Sequence, residues 1–129
     1  MKRVLMVDDS GTVRRLVEWM LKPLGFEVVH AADGVEALEQ LRTGPADLAI
    51  VDLNMPRMDG LSLVRELRAS SEWSRLPVIM MSTEHREEDI RKAMEAGVNL
   101  YLVKPSTPDE VRHKVLSLLG LAPTGGGPA

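Results

Sequence analysis

The chain has 129 residues, enough for one ordinary domain with a substantial core. It is 44% hydrophobic and 27% charged and contains no Cys, which excludes disulfides, thiolate metal sites and a Cys nucleophile. A net charge of −3, aromatics at only 3% and the lack of any Lys/Arg-rich run argue against direct nucleic-acid binding.

The first eight residues are charged and then apolar, but the apolar run is short, ends in Asp8-Asp9 and has no cleavage site behind it. No apolar stretch approaches the length of a membrane span, so no membrane insertion is expected and the chain should be cytoplasmic. Residues 4–7 (Val-Leu-Met-Val) read as a buried strand. Residues 10–24 read as a helix, with Val13, Leu16, Val17, Met20, Leu21 and Leu24 at helical spacing and Gly25 as its stop. Residues 26–31 form a second strand. Asp33 caps the next helix, with Glu36 three residues on and Val35, Ala37, Leu38 and Leu41 behind. Residues 47–51 are a third, continuously apolar strand, and residues 54–60 a loop with Pro56 and Gly60.

Leu61, Leu63, Val64 and Leu67 mark a third helix, and residues 77–81 a fourth strand. A fourth helix is expected over residues 84–96, with the narrow stripe Ile90, Ala93, Met94 and a stop at Gly97. Residues 100–103 form strand five. Thr107-Pro108-Asp109-Glu110 is a capping box that starts a last helix carrying Val111, Val115, Leu118 and Leu119. Strands without polar alternation are covered on both faces, so the alternation predicts a doubly wound α/β fold with a parallel sheet. The domain should span residues 2–120, and residues 121–129, rich in Gly and Pro, should be a flexible tail.

Ligands of open parallel sheets bind at the carboxyl ends of the strands. Strand one ends in Asp8-Asp9, strand three in Asp52, strand four in Ser82 and strand five in Lys104. Each has an ordinary explanation. Asp8 and Asp9 could cap a helix, Asp52 could serve a turn, Ser82 or Thr83 could cap helix four, and Lys104 could be a solvated charge. Together they place three carboxylates, a hydroxyl and an ammonium on one edge of one sheet. Three such carboxylates repel, raising one or more pKa values, and a divalent hard cation relieves the repulsion. Mg²⁺ suits oxygen donors while keeping waters and a phosphoryl oxygen, and Asp52, in the middle strand, is the natural nucleophile for an acyl phosphate.

Val7-Asp8-Asp9-Ser10, Val51-Asp52-Leu53-Asn54-Met55-Pro56, Met58-Asp59-Gly60, Ser82 and Val103-Lys104-Pro105 resemble response-regulator receiver domains, most closely the single-domain chemotaxis (CheY-like) type. The resemblance implies a flavodoxin-like (βα)5 fold with sheet order 2-1-3-4-5. It implies Asp52 as phosphoacceptor and Mg²⁺ (or Mn²⁺) held by Asp9, Asp52 and the backbone carbonyl of Asn54, with Asp8 acting through water. Lys104 pairs with the phosphoryl oxygen, or with Asp52 before phosphorylation. Ser82 and Tyr101 are the switch pair, Asn54 and Glu84 tune the acyl-phosphate lifetime, and the Lys104-Pro105 bond is cis. A sensor histidine kinase is the implied phosphodonor. An output protein is expected on the face of helix four, strand five and helix five, and the chain as a monomer or a weak phosphorylation-dependent dimer. It is then a signalling switch, not an enzyme acting on external substrate.

This sequence departs from the chemotaxis pattern at Ser106, where an aromatic is usual, at Leu53, where some members have Trp, and at Thr83, where Ala is often found. A phosphorelay intermediate, or a receiver cut from a longer regulator, fits the same motifs, although the Met1 start and the tail favour a stand-alone receiver. Two readings from other classes fit less well. An aspartyl-phosphate phosphohydrolase usually has a second Asp two residues after the nucleophile, where this chain has Asn54. A flavin or nucleotide binder needs a Gly/Ser/Thr-rich phosphate loop after strand one, where Asp8-Asp9 would repel phosphate.

Overall fold

The strands of this computed structural model, which describes residues 2–121, are Arg3–Val7 (β1), Glu27–Ala31 (β2), Leu48–Asp52 (β3), Val78–Ser82 (β4) and Leu100–Val103 (β5). All pair in parallel, in the order β2-β1-β3-β4-β5. Between and after them run α1 (Gly11–Leu21), α2 (Gly34–Thr43), α3 (Gly60–Ala69), α4 (Glu87–Ala96) and α5 (Pro108–Leu118). This is the flavodoxin-like arrangement expected from the sequence.

The unbroken apolar strands explain the layering. Successive strand residues face opposite sides of a sheet, and both sides are filled. On one side, Leu5, Val7, Ala49, Val51, Val78 and Met80 pack with Ala37, Leu41, Leu63, Val64, Leu67 and Ala93 from α2, α3 and α4. On the other, Val4, Met6, Leu48, Ile50, Ile79 and Met81 pack with Val17, Met20, Leu21, Val111 and Val115 from α1 and α5. A fully buried side chain of this size contributes roughly 1.5–3 kcal/mol, so the two half-cores hold the central strands β1, β3 and β4 firmly. The edge strands β2 and β5 are only partly covered.

Helix starts follow local chemistry. Ser10, Asp33 and Asp59 accept from the amides of Val13, Glu36 and Ser62 to cap α1, α2 and α3, and Thr107 with Glu110 forms the expected capping box of α5. Apart from single-residue shifts at the strand ends, the fold departs from the sequence expectations at three places. The α-helix expected over residues 10–24 ends at Leu21, and Lys22–Leu24 form a 3-10 turn closed by Gly25 at φ 79°. Pro23 is the reason, since it lacks an amide and crowds the preceding turn. Gly60, assigned to the loop, is the first residue of α3.

The third departure is α4, which begins at Glu87, three residues later than expected, after an N-cap, Arg86, without a side-chain hydrogen bond. The preceding backbone is used elsewhere: the Glu84 amide donates to Ser82 Oγ at 3.0 Å, and the Glu84 carbonyl accepts from the Tyr101 hydroxyl at 2.8 Å. Of α4, only Ala93 is buried, and Met94 is exposed. The proposed tail, apart from Leu121, lies outside the described residues.

Candidate phosphoryl-transfer site

The parallel register brings the strand ends together. Val7 is paired with Val51, Asp52 with Met81, and Ser82 with Val103, so Asp8, Asp52, Ser82 and Lys104 all follow from neighbouring rungs at one sheet edge. Asp8, Asp52 and Ser82 are buried, whereas Asp9 is exposed. One carboxylate oxygen from each of Asp8, Asp9 and Asp52 lies within 4.8 Å of the others. The Lys104 ammonium, from the end of β5, donates to Asp8 Oδ2 at 2.8 Å and to Asp52 Oδ1 at 3.2 Å. Its side chain keeps only 17% exposure, so it is not a solvated surface charge. The Lys104–Pro105 peptide is cis.

Electrostatics follow from this crowding. Burial pushes the Asp52 carboxyl above its ordinary value, repulsion from Asp8 and Asp9 adds to the rise, and Lys104 opposes it. For Lys104, burial pulls the pKa down, but the Asp8 hydrogen bond and the attraction of Asp52 and Asp8 outweigh it, so the ammonium is held above the ordinary lysine range. Three acids against one ammonium leave the pocket with excess negative charge. Closely spaced carboxylate oxygens are the donor set of a hard divalent cation, and these three residues could hold one.

The helix-capping alternative fails for the acids. Ser10 caps α1, while Asp8 Oδ1 accepts from the Ser10 amide at 2.9 Å. Ser82 does not cap α4 either, because α4 starts five residues further on. Tyr101 is half-buried beside the β4 end, and burial raises its phenol pKa. Asn54 is exposed two residues beyond Asp52, and Glu84 is partly buried two beyond Ser82.

Two contributors, Arg14 and Arg57, were not visible in the sequence, whereas a third, Gly60, stood in the Met58-Asp59-Gly60 motif without a role. Arg14 donates to the Asp8 carbonyl and, through Nε at 3.2 Å, to His30 Nδ1. Gly60 lets α3 start directly under Asp52, since a Cβ there would lie 2.3 Å from the Asp52 carbonyl oxygen and 3.0 Å from Leu53 Cα. The Asp-Gly pair ahead of an apolar helical run was the available signal. Arg57, in the loop after β3, pairs with Asp33 ahead of α2 at 2.6 Å, a contact between residues 24 apart with no local signature.

Comparison with known proteins agrees with this geometry. The model of the response regulator receiver domain matches residues 4–116. Chemotaxis protein CheY1 of Helicobacter pylori is 42% identical over 120 residues, covering 92% of this chain and 97% of that protein. The structure of Vibrio cholerae chemotaxis protein CheY4 at low pH superposes with a TM-score of 0.84 at 38% identity, covering 92% of this chain and 98% of that one. In the CheX-CheY-BeF3-Mg²⁺ complex from Borrelia burgdorferi the TM-score is 0.84 at 28% identity, over 91% of this chain and 88% of that one. With a family match across nearly the whole described fold and an acid pocket at the strand ends, the chain belongs to the response regulator receiver domain family.

Proposed function

We propose that this receiver accepts a phosphoryl group on Asp52 from a sensor histidine kinase and thereby switches a partner-binding surface, in signalling of the two-component chemotaxis type. The observation that carries the reading is the single Lys104 ammonium shared between Asp8 and Asp52, residues contributed by three separate strand ends. The chemotaxis assignment is supported by what the relatives are named, and the Borrelia complex, which contains BeF3 and Mg²⁺, supports a phosphoryl-like group and a divalent ion in this pocket.

In this mechanism an ionised Asp52 oxygen attacks the phosphorus of a phosphohistidine. The new O–P bond forms as the P–N bond breaks, and the electron pair returns to the imidazole nitrogen. Asp9, Asp52 and the Asn54 carbonyl would hold Mg²⁺, with Asp8 acting through water and Mn²⁺ as a substitute, and the ion would offset charge on the phosphoryl oxygens. Lys104 exchanges its bond to Asp52 for one to the phosphoryl group. Positioning and charge complementarity supply most of the acceleration. Water later cleaves the acyl phosphate, with Asn54 and Glu84 flanking its approach, so the chain resets itself without acting on external substrates.

The output follows a chain of hydrogen bonds. Ser82 Oγ holds the Glu84 amide, and the Glu84 carbonyl holds Tyr101. A phosphoryl group adds negative charge and acceptor oxygens that draw the Ser82 hydroxyl inward. Residue 84 moves with it and the Tyr101 bond is released. The α4–β5–α5 face, which exposes Met94 and Val103 and includes the sparsely buried α4, then favours a second arrangement that an output protein selects. The protein acts in the cytoplasm as a monomer, or as a weak dimer when phosphorylated, with residues 2–120 as the functional domain. A relay to a second histidine uses the same chemistry.

The test is phosphate-affinity electrophoresis after incubation with acetyl phosphate and Mg²⁺. The wild-type band should be retarded, Asp52→Asn should run unshifted, and EDTA should abolish the retardation. Equal retardation of Asp52→Asn would assign the nucleophile elsewhere.

A further inference from the structure

The segment between β3 and α3, residues 53–59, carries the Asn54 carbonyl and has no regular structure to hold it. Within itself it has two short ties, Gly60 N to Leu53 O at 2.9 Å and Met58 N to Pro56 O at 2.7 Å. Two further ties connect it to the start of α2. The Gly34 amide donates to the Met58 carbonyl at 3.2 Å, and Arg57 Nε donates to Asp33 Oδ2 at 2.6 Å. Arg57 Nη2 also lies 3.9 Å from Glu36 Oε2.

Arg57 is held in an unfavourable backbone state. Its φ is 63°, in the left-handed region, where among the described residues every other positive φ belongs to glycine. A loop free to choose would place Gly or Asn there. Its partner is equally committed. Asp33 is buried, one oxygen caps α2 by accepting from Glu36 N at 2.9 Å, and the other takes Arg57. The turn that carries Asp33 is in turn fixed to the acid pocket, because the Asp8 amide donates to the Ala31 carbonyl at 3.0 Å. A rigid path thus runs from Asp8 through the end of β2 and Asp33 to Arg57. The Arg57 hydrogen bond holds the Asp33 carboxyl below its ordinary value, as expected for a carboxylate kept ionised for this bond.

We propose that Arg57 is a positioning residue of the phosphoryl site, clamping the β3–α3 loop to buried Asp33 so that the Asn54 carbonyl is held ready for a divalent ion. The inference rests on the function proposed above, since only a receiver pocket gives that carbonyl a task. It also carries a distinctive sign. A cation near an acid pocket, acting by charge alone, weakens metal binding, so its removal would tighten the ion. A clamp acts the other way.

The experiment titrates the full chain with Mn²⁺, reading the free ion by electron paramagnetic resonance, without any phosphodonor. Arg57→Gly relieves the left-handed backbone while removing the clamp, so it should fold as the wild type does. It should nevertheless bind Mn²⁺ about tenfold more weakly, as when a group orienting a metal ligand is lost. Asp33→Asn keeps the α2 cap and the Arg57 side chain but discharges the pair, and should weaken Mn²⁺ in the same direction; loss of its negative charge acts the same way, so the sign that separates clamp from charge is read from Arg57→Gly. Arg57→Lys should recover part of the loss. Unchanged or tighter Mn²⁺ binding in Arg57→Gly and Asp33→Asn would overturn the clamp. Loss of acetyl-phosphate labelling in the wild type would instead overturn the underlying functional reading, so the two failures are separable.

Discussion

Replacing Lys104 by Met keeps the apolar stem and deletes the ammonium. Its contacts of 2.8 Å to Asp8 and 3.2 Å to Asp52 each represent roughly 5–6 kcal/mol of gross attraction at an effective dielectric near 20. Dehydration of the three ionic groups cancels most of this. Removing one partner of a buried pair typically leaves a net loss of about 3–5 kcal/mol, because the other charges stay buried without compensation. The Lys104 side chain keeps 17% exposure, so the lower end, about 3 kcal/mol, is expected. In urea denaturation at neutral pH and without divalent ions, this lowers the midpoint by roughly 1–3 M.

Two further arms identify the cause. Without Lys104, the already raised Asp52 carboxyl rises further, so the folded state takes up a proton more readily than the unfolded chain. The loss must therefore shrink as the pH falls toward the ordinary carboxyl value of 3.8, and must also shrink in excess Mg²⁺. A deficit equal at neutral and acidic pH and indifferent to Mg²⁺ would refute the electrostatic reasoning and leave only packing of the lysine stem.

Three other outcomes follow from the same pocket. Mg²⁺ at ten times its Kd should stabilise the wild type by about 1.4 kcal/mol, measured as a rise in Tm reversed by EDTA, and by less in Asp9→Asn. Asp52→Asn should be more stable than wild type at neutral pH without metal. A carboxyl whose folded pKa is raised loses stability as pH climbs from 3.8 through that raised value, so the advantage should fade on acidification in matched urea curves. Gly60→Ala should cost about 1–3 kcal/mol and slow acetyl-phosphate labelling, because its Cβ meets the backbone of Asp52 at 2.3 Å, which has no flexible way to yield. Normal labelling kinetics in a folded Gly60→Ala protein would show that the α3 start does not support the nucleophile.

The parallel sheet and both half-cores were legible because β1, β3 and β4 are continuously apolar, a pattern that double coverage explains, whereas the sheet order came only from the family resemblance. The acid pocket was legible for a related reason: in a parallel sheet the residue after each strand has one destination, so Asp8, Asp52, Ser82 and Lys104 could be placed before any coordinates. What escaped depended on contacts between distant segments. The late start of α4 reflects the Glu84 backbone being claimed by Ser82 and Tyr101, and nothing in residues 84–86 announces that competition. The Asp33–Arg57 tie was equally hidden, since Asp33 reads as an ordinary helix cap and Arg57 as a surface arginine. Pro23 was the exception, a local signal that a longer helical pattern overrode.

The ammonium that faces the acid pocket arrives just after β5, a four-residue edge strand. A charge delivered from the margin of a sheet is held by strand pairing on one side alone, so separating β5 from β4 would draw Lys104 away from Asp8 and Asp52 while the middle of the sheet stayed intact.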